Sequence, residues 1–428
     1  MKKMFLAFFA FFFVSGPVFA GSAIEDLLRV ADKYDAPSAP AVNMQPSEKD
    51  KGSVRETAEW TIMVFMNGKN SLSEYIKADF NEMEMAGSNS KVNIVAELGC
   101  NFGPDSYDGS YYSVNRYLVK HDTDMNAIAS PVLQKLPGTD MGDWKELAAF
   151  GKWAKANFPA KRYFLIVENH GSGWDKKIPA GINRGISYDD ETDNYINTPQ
   201  LAQAIREMGG VNVYGSDACL MQMAEVAYEL KDMTEYVVGS EETEPGEGGD
   251  YAGFLVPFVN AADSINSLSA AKLFMDSYGD FYDKTGEGYT QSIISSKAMP
   301  AFPAAVKKFT SAIMKAGDSK TARSAMSKII YFENPASKDF AQLADYMAQN
   351  SQNAEVKEAA QNLSAYIKDN VIAGRRAGNS RYGGPDYAAN ANGIAVYFSS
   401  SQPYPHYGDL SWNKASGWLD FISWLGSK

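Results

Sequence analysis

Tyr163-Phe164-Leu165-Ile166-Val167-Glu168-Asn169-His170-Gly171-Ser172-Gly173-Trp174 begins with five apolar residues and stops in a polar, glycine-rich loop. A short, continuously apolar run that ends this way reads as a strand buried on both faces of a parallel sheet. The same grammar recurs at Val211-Asn212-Val213-Tyr214-Gly215, which runs into Ser216-Asp217-Ala218-Cys219-Leu220-Met221 and then an amphipathic segment over 220–230. Further candidate strands lie at 60–66, 92–98, 111–119, 236–239 and 393–398, with helical patterns between them. Apolar runs alternating with amphipathic helices predict an α/β fold with a mostly parallel sheet flanked by helices on both faces.

Ser71 and Glu74 have the spacing of a capping box, Leu72, Tyr75, Ile76, Phe80 and Met83 share one helical face, and Gly87 follows the end of that helix. Thr198 as cap with Pro199 in the first turn predicts a second helix. Residues 264–372 are almost wholly helical in pattern and read as a helical subdomain inserted before the last strand, a candidate lid. Residues 59–263 form the predicted core, completed by 373–428.

At the start of the chain, Lys2 and Lys3 precede an apolar run over 4–14, and Val18-Phe19-Ala20 supplies small residues for cleavage after Ala20. This is the pattern of a cleavable leader, with the run too short to span a bilayer, so export is expected and no membrane span. Residues 21–58, rich in Pro, Ala, Ser and Lys, read as a linker or pro-segment. The formal net charge is −12, and −14 without the two leader lysines. Such a balance lacks the basic footprint of a nucleic-acid partner.

The chemistry-bearing residues sit at strand ends. In an open α/β sheet, ligands bind beyond the carboxyl ends of the strands, and both His170 and Cys219 follow such an end. A thiol needs a proton acceptor within reach to act as a nucleophile, and a helix N-terminus or an imidazolium lowers its pKa. The backbone N–H groups of Cys219 and Gly171 are candidate oxyanion donors. Asp217, two residues before Cys219 in an extended strand, faces the same way. The competing reading is bland: with only Cys100 and Cys219 in an exported chain, a structural disulfide is open.

The motifs Asn169-His170-Gly171-Ser172-Gly173-Trp174, Asp217-Ala218-Cys219-Leu220-Met221 and Glu241-Glu242-Thr243-Glu244-Pro245-Gly246-Glu247-Gly248 resemble those of the clostripain family of cysteine peptidases. So do the first strand around Trp60-Thr61-Ile62-Met63-Val64-Phe65-Met66 and the helix with Asp79-Phe80-Asn81-Glu82-Met83-Glu84. The resemblance implies a caspase-like core and an endopeptidase using His170 and Cys219, with a preference for Arg or Lys on the acyl side of the cut. It also implies an acidic specificity pocket, to which Asp217 and Glu247 are assigned. Gly249 stands where the family has an aromatic residue, often Trp, which makes Trp174 and Tyr251 the candidates for that wall of the cleft.

Family members are often zymogens cut between the His and Cys motifs. Here that stretch contains Arg184 and Lys177, the expected self-cleavage positions. Asp189, Asp190, Glu191 and Asp193 are a candidate calcium cluster without the spacing of an EF-hand. No cofactor is required by this reading; peptide or protein substrates with Arg or Lys are the expected partners, and a monomer the expected state. An inactive secreted binding protein and a cysteine acyl transferase or transpeptidase remain open as alternatives.

Overall fold

A computed structural model describes residues 57–101, 112–174, 185–401 and 405–428. Its first half runs β1 (Ala58–Asn67), α1 (Ser73–Ala86), β2 (Val92–Cys100), β3 (Ser113–Leu118), β4 (Val132–Lys135), α2 (Trp144–Asn157), β5 (Ala160–Glu168), β6 (Ile186–Asp189), β7 (Asn194–Ile196), α3 (Thr198–Glu207), β8 (Val213–Asp217), α4 (Ala224–Leu230) and β9 (Tyr236–Gly239). The second half adds α5 (Tyr251–Ala261), α6 (Ser267–Thr285), β10 (Tyr289–Ser295), α7 (Phe302–Ala316), α8 (Ser319–Met326), β11 (Ser337–Asp339), α9 (Phe340–Asn350), α10 (Ala354–Tyr366), β12 (Ile372–Gly378), α11 (Tyr387–Asn390), β13 (Ala395–Tyr397), α12 (Ser411–Ser416) and α13 (Trp418–Gly426).

Nine strands form one sheet in the order β12-β10-β9-β8-β5-β1-β2-β3-β4. The inner five, β9 to β2, are parallel, and antiparallel strands extend both edges. Helices cover both faces, because successive side chains along each inner strand face opposite ways and nearly all are apolar. In β1, Trp60, Ile62, Val64 and Met66 pack with Phe80 of α1, Phe254 of α5 and Phe274 of α6. Met63 and Phe65 join the opposite core, with Phe150 of α2, Ile205 of α3 and Val226 of α4.

Four expectations change. Residues 264–372 are not helical throughout: Tyr289–Ser295 is β10, paired with β9, so this stretch builds the sheet as well as covering it. The strand expected at 393–398 shortens to β13 and pairs with β11 in a separate two-stranded sheet, leaving β12 as the edge. At the start of α1 the capping box does not form, since Leu72 is the N-cap with no side-chain cap bond, and the Ser71 hydroxyl lies 2.9 Å from His170 Nε2 instead. The cap of α3 is Asn197, one residue before the expected Thr198, and it forms a capping box with Gln200.

No helix among the described residues is long and apolar enough to cross a membrane. The leader, the 21–56 stretch, Arg184 and Lys177 lie outside the described residues.

Candidate active site

β5 and β8 are parallel neighbours with Glu168 opposite Asp217. His170 and Cys219 each stand two residues beyond that pair, so both loops leave the same sheet edge one strand spacing apart. The His loop is pinned by Asn169, whose Oδ1 accepts from Tyr188 N at 2.7 Å and whose amide donates to the Asn67 carbonyl. Gly171 passes so close to the Cys loop that a Cβ there would lie 2.5 Å from the Cys219 carbonyl oxygen. Beyond the sulfur, Leu220 adopts the left-handed conformation (φ 64°), rare for a branched residue, and its N–H bonds Glu242 O at 3.0 Å. That turn separates Cys219 from α4, which begins only at Ala224, so the expected helix N-terminus at the thiol is absent.

His170 and Cys219 line one pocket of about 120 Å³ together with Leu72, Tyr75, Ile76 and four carboxyl groups, Asp79, Glu168, Asp217 and Glu244. The Glu244 N–H lies 3.3 Å from Cys219 Sγ, and the nearby N–H groups of Cys219 and Gly171 also favour a charged sulfur. Those donors favour thiolate, yet burial and then the Glu244 carboxylate outweigh them and push the thiol up to about 11. The expected low thiol pKa is therefore not found: the helix dipole that should lower it is missing, and the acidic side chain of Glu244 stands beside the sulfur. Burial lowers His170, opposed by Asp190, so the imidazole rests neutral as a proton acceptor.

The four carboxyls are raised, first by burial. Each also has a carboxyl neighbour. Asp79 and Glu168 are in side-chain contact, as are Asp217 and Glu244, so a proton is shared within each pair. Among the described residues, no lysine or arginine forms an ion pair with any of the four. The pocket is an acidic slot beside a thiol.

The profile of the clostripain family matches residues 64–424. This chain belongs to the clostripain family. It is 26% identical over 222 residues to clostripain of Hathewaya histolytica, a match covering 48% of this chain and 40% of that relative, so the chain spans less than half of the relative's length. In fold it is similar to a secreted C11 cysteine protease from Bacteroides thetaiotaomicron bound to an irreversible peptide inhibitor, with a TM-score of 0.63 at 20% identity over 84% of this chain and 99% of that one. It is equally similar to an inactive zymogen C11 protease from Parabacteroides distasonis, with a TM-score of 0.62 at 19% identity over 85% and 99%.

Within this clostripain-family site, Asp217 takes the expected position, with Gly249 N donating to its Oδ2 at 3.0 Å. Gly249 is what allows that approach, because a Cβ there would lie 2.9 Å from the same oxygen. Neither candidate for the missing aromatic wall lines the pocket. Trp174 is buried edge-on against Tyr407 at 4.6 Å, and Tyr251 lies beneath the carboxyls, donating from its hydroxyl to Glu168 Oε2 at 3.1 Å. Tyr75 of α1 supplies an aromatic side of the pocket instead. Glu247 is exposed and its side chain is not part of the lining.

Cys100 and Cys219 are both free thiols, which removes the disulfide reading. Cys100 is buried in β2 with its thiol toward Ser73 O. In the acidic cluster, the ammonium of Lys69 already sits between Asp189 (2.9 Å) and Glu191 (2.6 Å). Sequence reasoning missed Asp79, Glu168, Glu244 and Ser71 as site residues. For Glu168 a signal existed, a carboxylate closing an otherwise apolar strand; Glu244 was hidden among four glutamates in one short loop.

Proposed function

We propose that this chain is an exported cysteine endopeptidase that cleaves peptide bonds after Arg or Lys through Cys219 and His170. The observation that carries the reading is that a thiol, a neutral imidazole and four buried carboxyls line one pocket. A substrate's guanidinium or ammonium enters the acidic slot and places its scissile carbonyl at Sγ. His170 takes the thiol proton as sulfur attacks the carbonyl carbon, and the oxyanion develops near the N–H groups of Gly171 and Cys219. The intermediate collapses to a thioester as His170 returns the proton to the leaving amine. Water then attacks the thioester, and the acid product and the thiol are released.

The leader over residues 1–20 fits export, and cleavage after Arg184 or Lys177 fits the same specificity acting on the chain itself. No metal is needed for these steps, and two members of the candidate calcium cluster, Asp189 and Glu191, already pair with Lys69.

Matched reporter peptides ending in Arg, Lys or Asp before the fluorophore test the reading. The wild type should cut the first two and spare the third, and Cys219→Ala should lower the rate by at least about 10⁴-fold. Equal cleavage of all three, or a variant that retains activity, would contradict it.

A further inference from the structure

We propose that Glu244, and not Glu247, is the carboxylate that selects the basic side chain of the substrate, and that Gln291 holds it for this role. The inference rests on the peptidase reading above and names the specificity residue within it. Two carboxyls stand beside the thiol, but they differ in what already satisfies them. Asp217 accepts from Gly249 N at 3.0 Å and also has Tyr251 as a partner. Glu244 Oε1 accepts from Gln291 Nε2 at 2.9 Å, while its buried Oε2 takes no hydrogen bond from an N–H or a hydroxyl, so that beyond Gln291 the group has only the proton it shares with Asp217.

A guanidinium or ammonium entering the slot displaces that shared proton to solvent and brings donors and charge together, leaving both carboxyls ionised and paired. The pocket wall around it contributes carboxyl groups and no cation among the described residues. Glu244 is also the residue whose N–H lies 3.3 Å from Cys219 Sγ, so the acceptor for the basic side chain and a donor to the nucleophile belong to one residue. A cation recognised here is therefore registered directly against the sulfur. Gln291 is the device that fixes the geometry: it lies on β10, buried in the sheet, and reaches across to a loop that would otherwise let Glu244 turn. Glu247, three residues on, is exposed and free of this arrangement.

The test compares two peptides that differ only in Arg or citrulline before the scissile bond, since citrulline keeps the shape and loses the charge. The readout is the ratio of kcat/KM for the pair, with iodoacetamide labelling of Cys219 as an independent measure of an intact nucleophile. The Arg-to-citrulline ratio should fall at least about tenfold in Glu244→Gln, as expected for loss of one charge-assisted hydrogen bond, and stay within threefold of wild type in Glu247→Gln. Gln291→Leu should lower the ratio as well, and it decides the matter if Glu244→Gln does not fold. An unchanged ratio in Glu244→Gln with labelling retained would overturn the proposal while leaving the peptidase reading intact. A wild type that cuts neither peptide would instead fail the peptidase reading itself, and one that cuts both equally well would fail its preference for a basic residue.

Discussion

A side chain at position 171 has no room, because its Cβ would sit 2.5 Å from Cys219 O and 2.9 Å from Ala218 Cβ. Relief requires the His and Cys loops to move apart, and near-ångström misplacement of reacting groups is costly to rate. Gly171→Ala should therefore lower kcat by about 10²-fold while leaving far-UV circular dichroism unchanged; a variant with wild-type kcat would show that the two loops need not meet so closely. At this scale the meeting of His170 and Cys219 in one pocket was legible because each follows a recognisable strand, and strand ends in such sheets converge. The place of Glu244 in that pocket was not. Glu241, Glu242, Glu244 and Glu247 look alike in sequence, and only the folded loop separates them. Glu241 accepts from Gly393 N, Glu242 from the Tyr387 hydroxyl, Glu244 enters the pocket and Glu247 faces solvent.

The β6–β7 hairpin is tied to the turn after β1 by Lys69, which is 1% exposed. Its ammonium meets Asp189, Glu191 and the Thr139 carbonyl, while Asn67 and Asn70 donate to Tyr188 O of the same hairpin. Since Tyr188 N also holds Asn169, the hairpin braces the loop that carries His170. Lys69→Met leaves two carboxylates without their counter-ion and should cost about 3–5 kcal/mol, read as a lower urea midpoint; a change under about 1 kcal/mol would show that solvent compensates them. The inner strands were legible as apolar runs. β10 was not, because its buried residues include Thr290, Gln291 and Ser292, whose hydrogen bonds are made by the fold and break the apolar pattern that a buried strand shows. β12 was hidden for a related reason: its residues, two of them arginines, are only partly buried at the sheet edge.

Across the whole molecule, buried carboxyls set the response to pH. Burial, then Asp250, raises Glu82 to about 8; burial raises Asp339 to about 6; and Asp79, Glu241 and Glu244 are raised well above the ordinary range. The folded chain holds these protons more tightly than the unfolded one, so their contribution to stability is full below the ordinary carboxylate range and is lost as pH rises through the raised values. The melting temperature should fall between pH 6 and pH 9, and a rise over that interval would contradict the assignment. The sheet, its helical cover on both faces and the edge where the site lies followed from residue patterns alone. The proton-sharing pairs did not, because Asp79 meets Glu168 from α1 and Glu244 meets Asp217 from the loop after β9, contacts between distant stretches that only the folded chain sets.

Labelling by a peptidyl-arginyl chloromethyl ketone, followed by peptide mapping, tests the central claim most directly. The account predicts a single adduct on Cys219, lost in His170→Ala and absent with the aspartyl analogue. An adduct on Cys100, or equal labelling by the arginyl and aspartyl reagents, would contradict it.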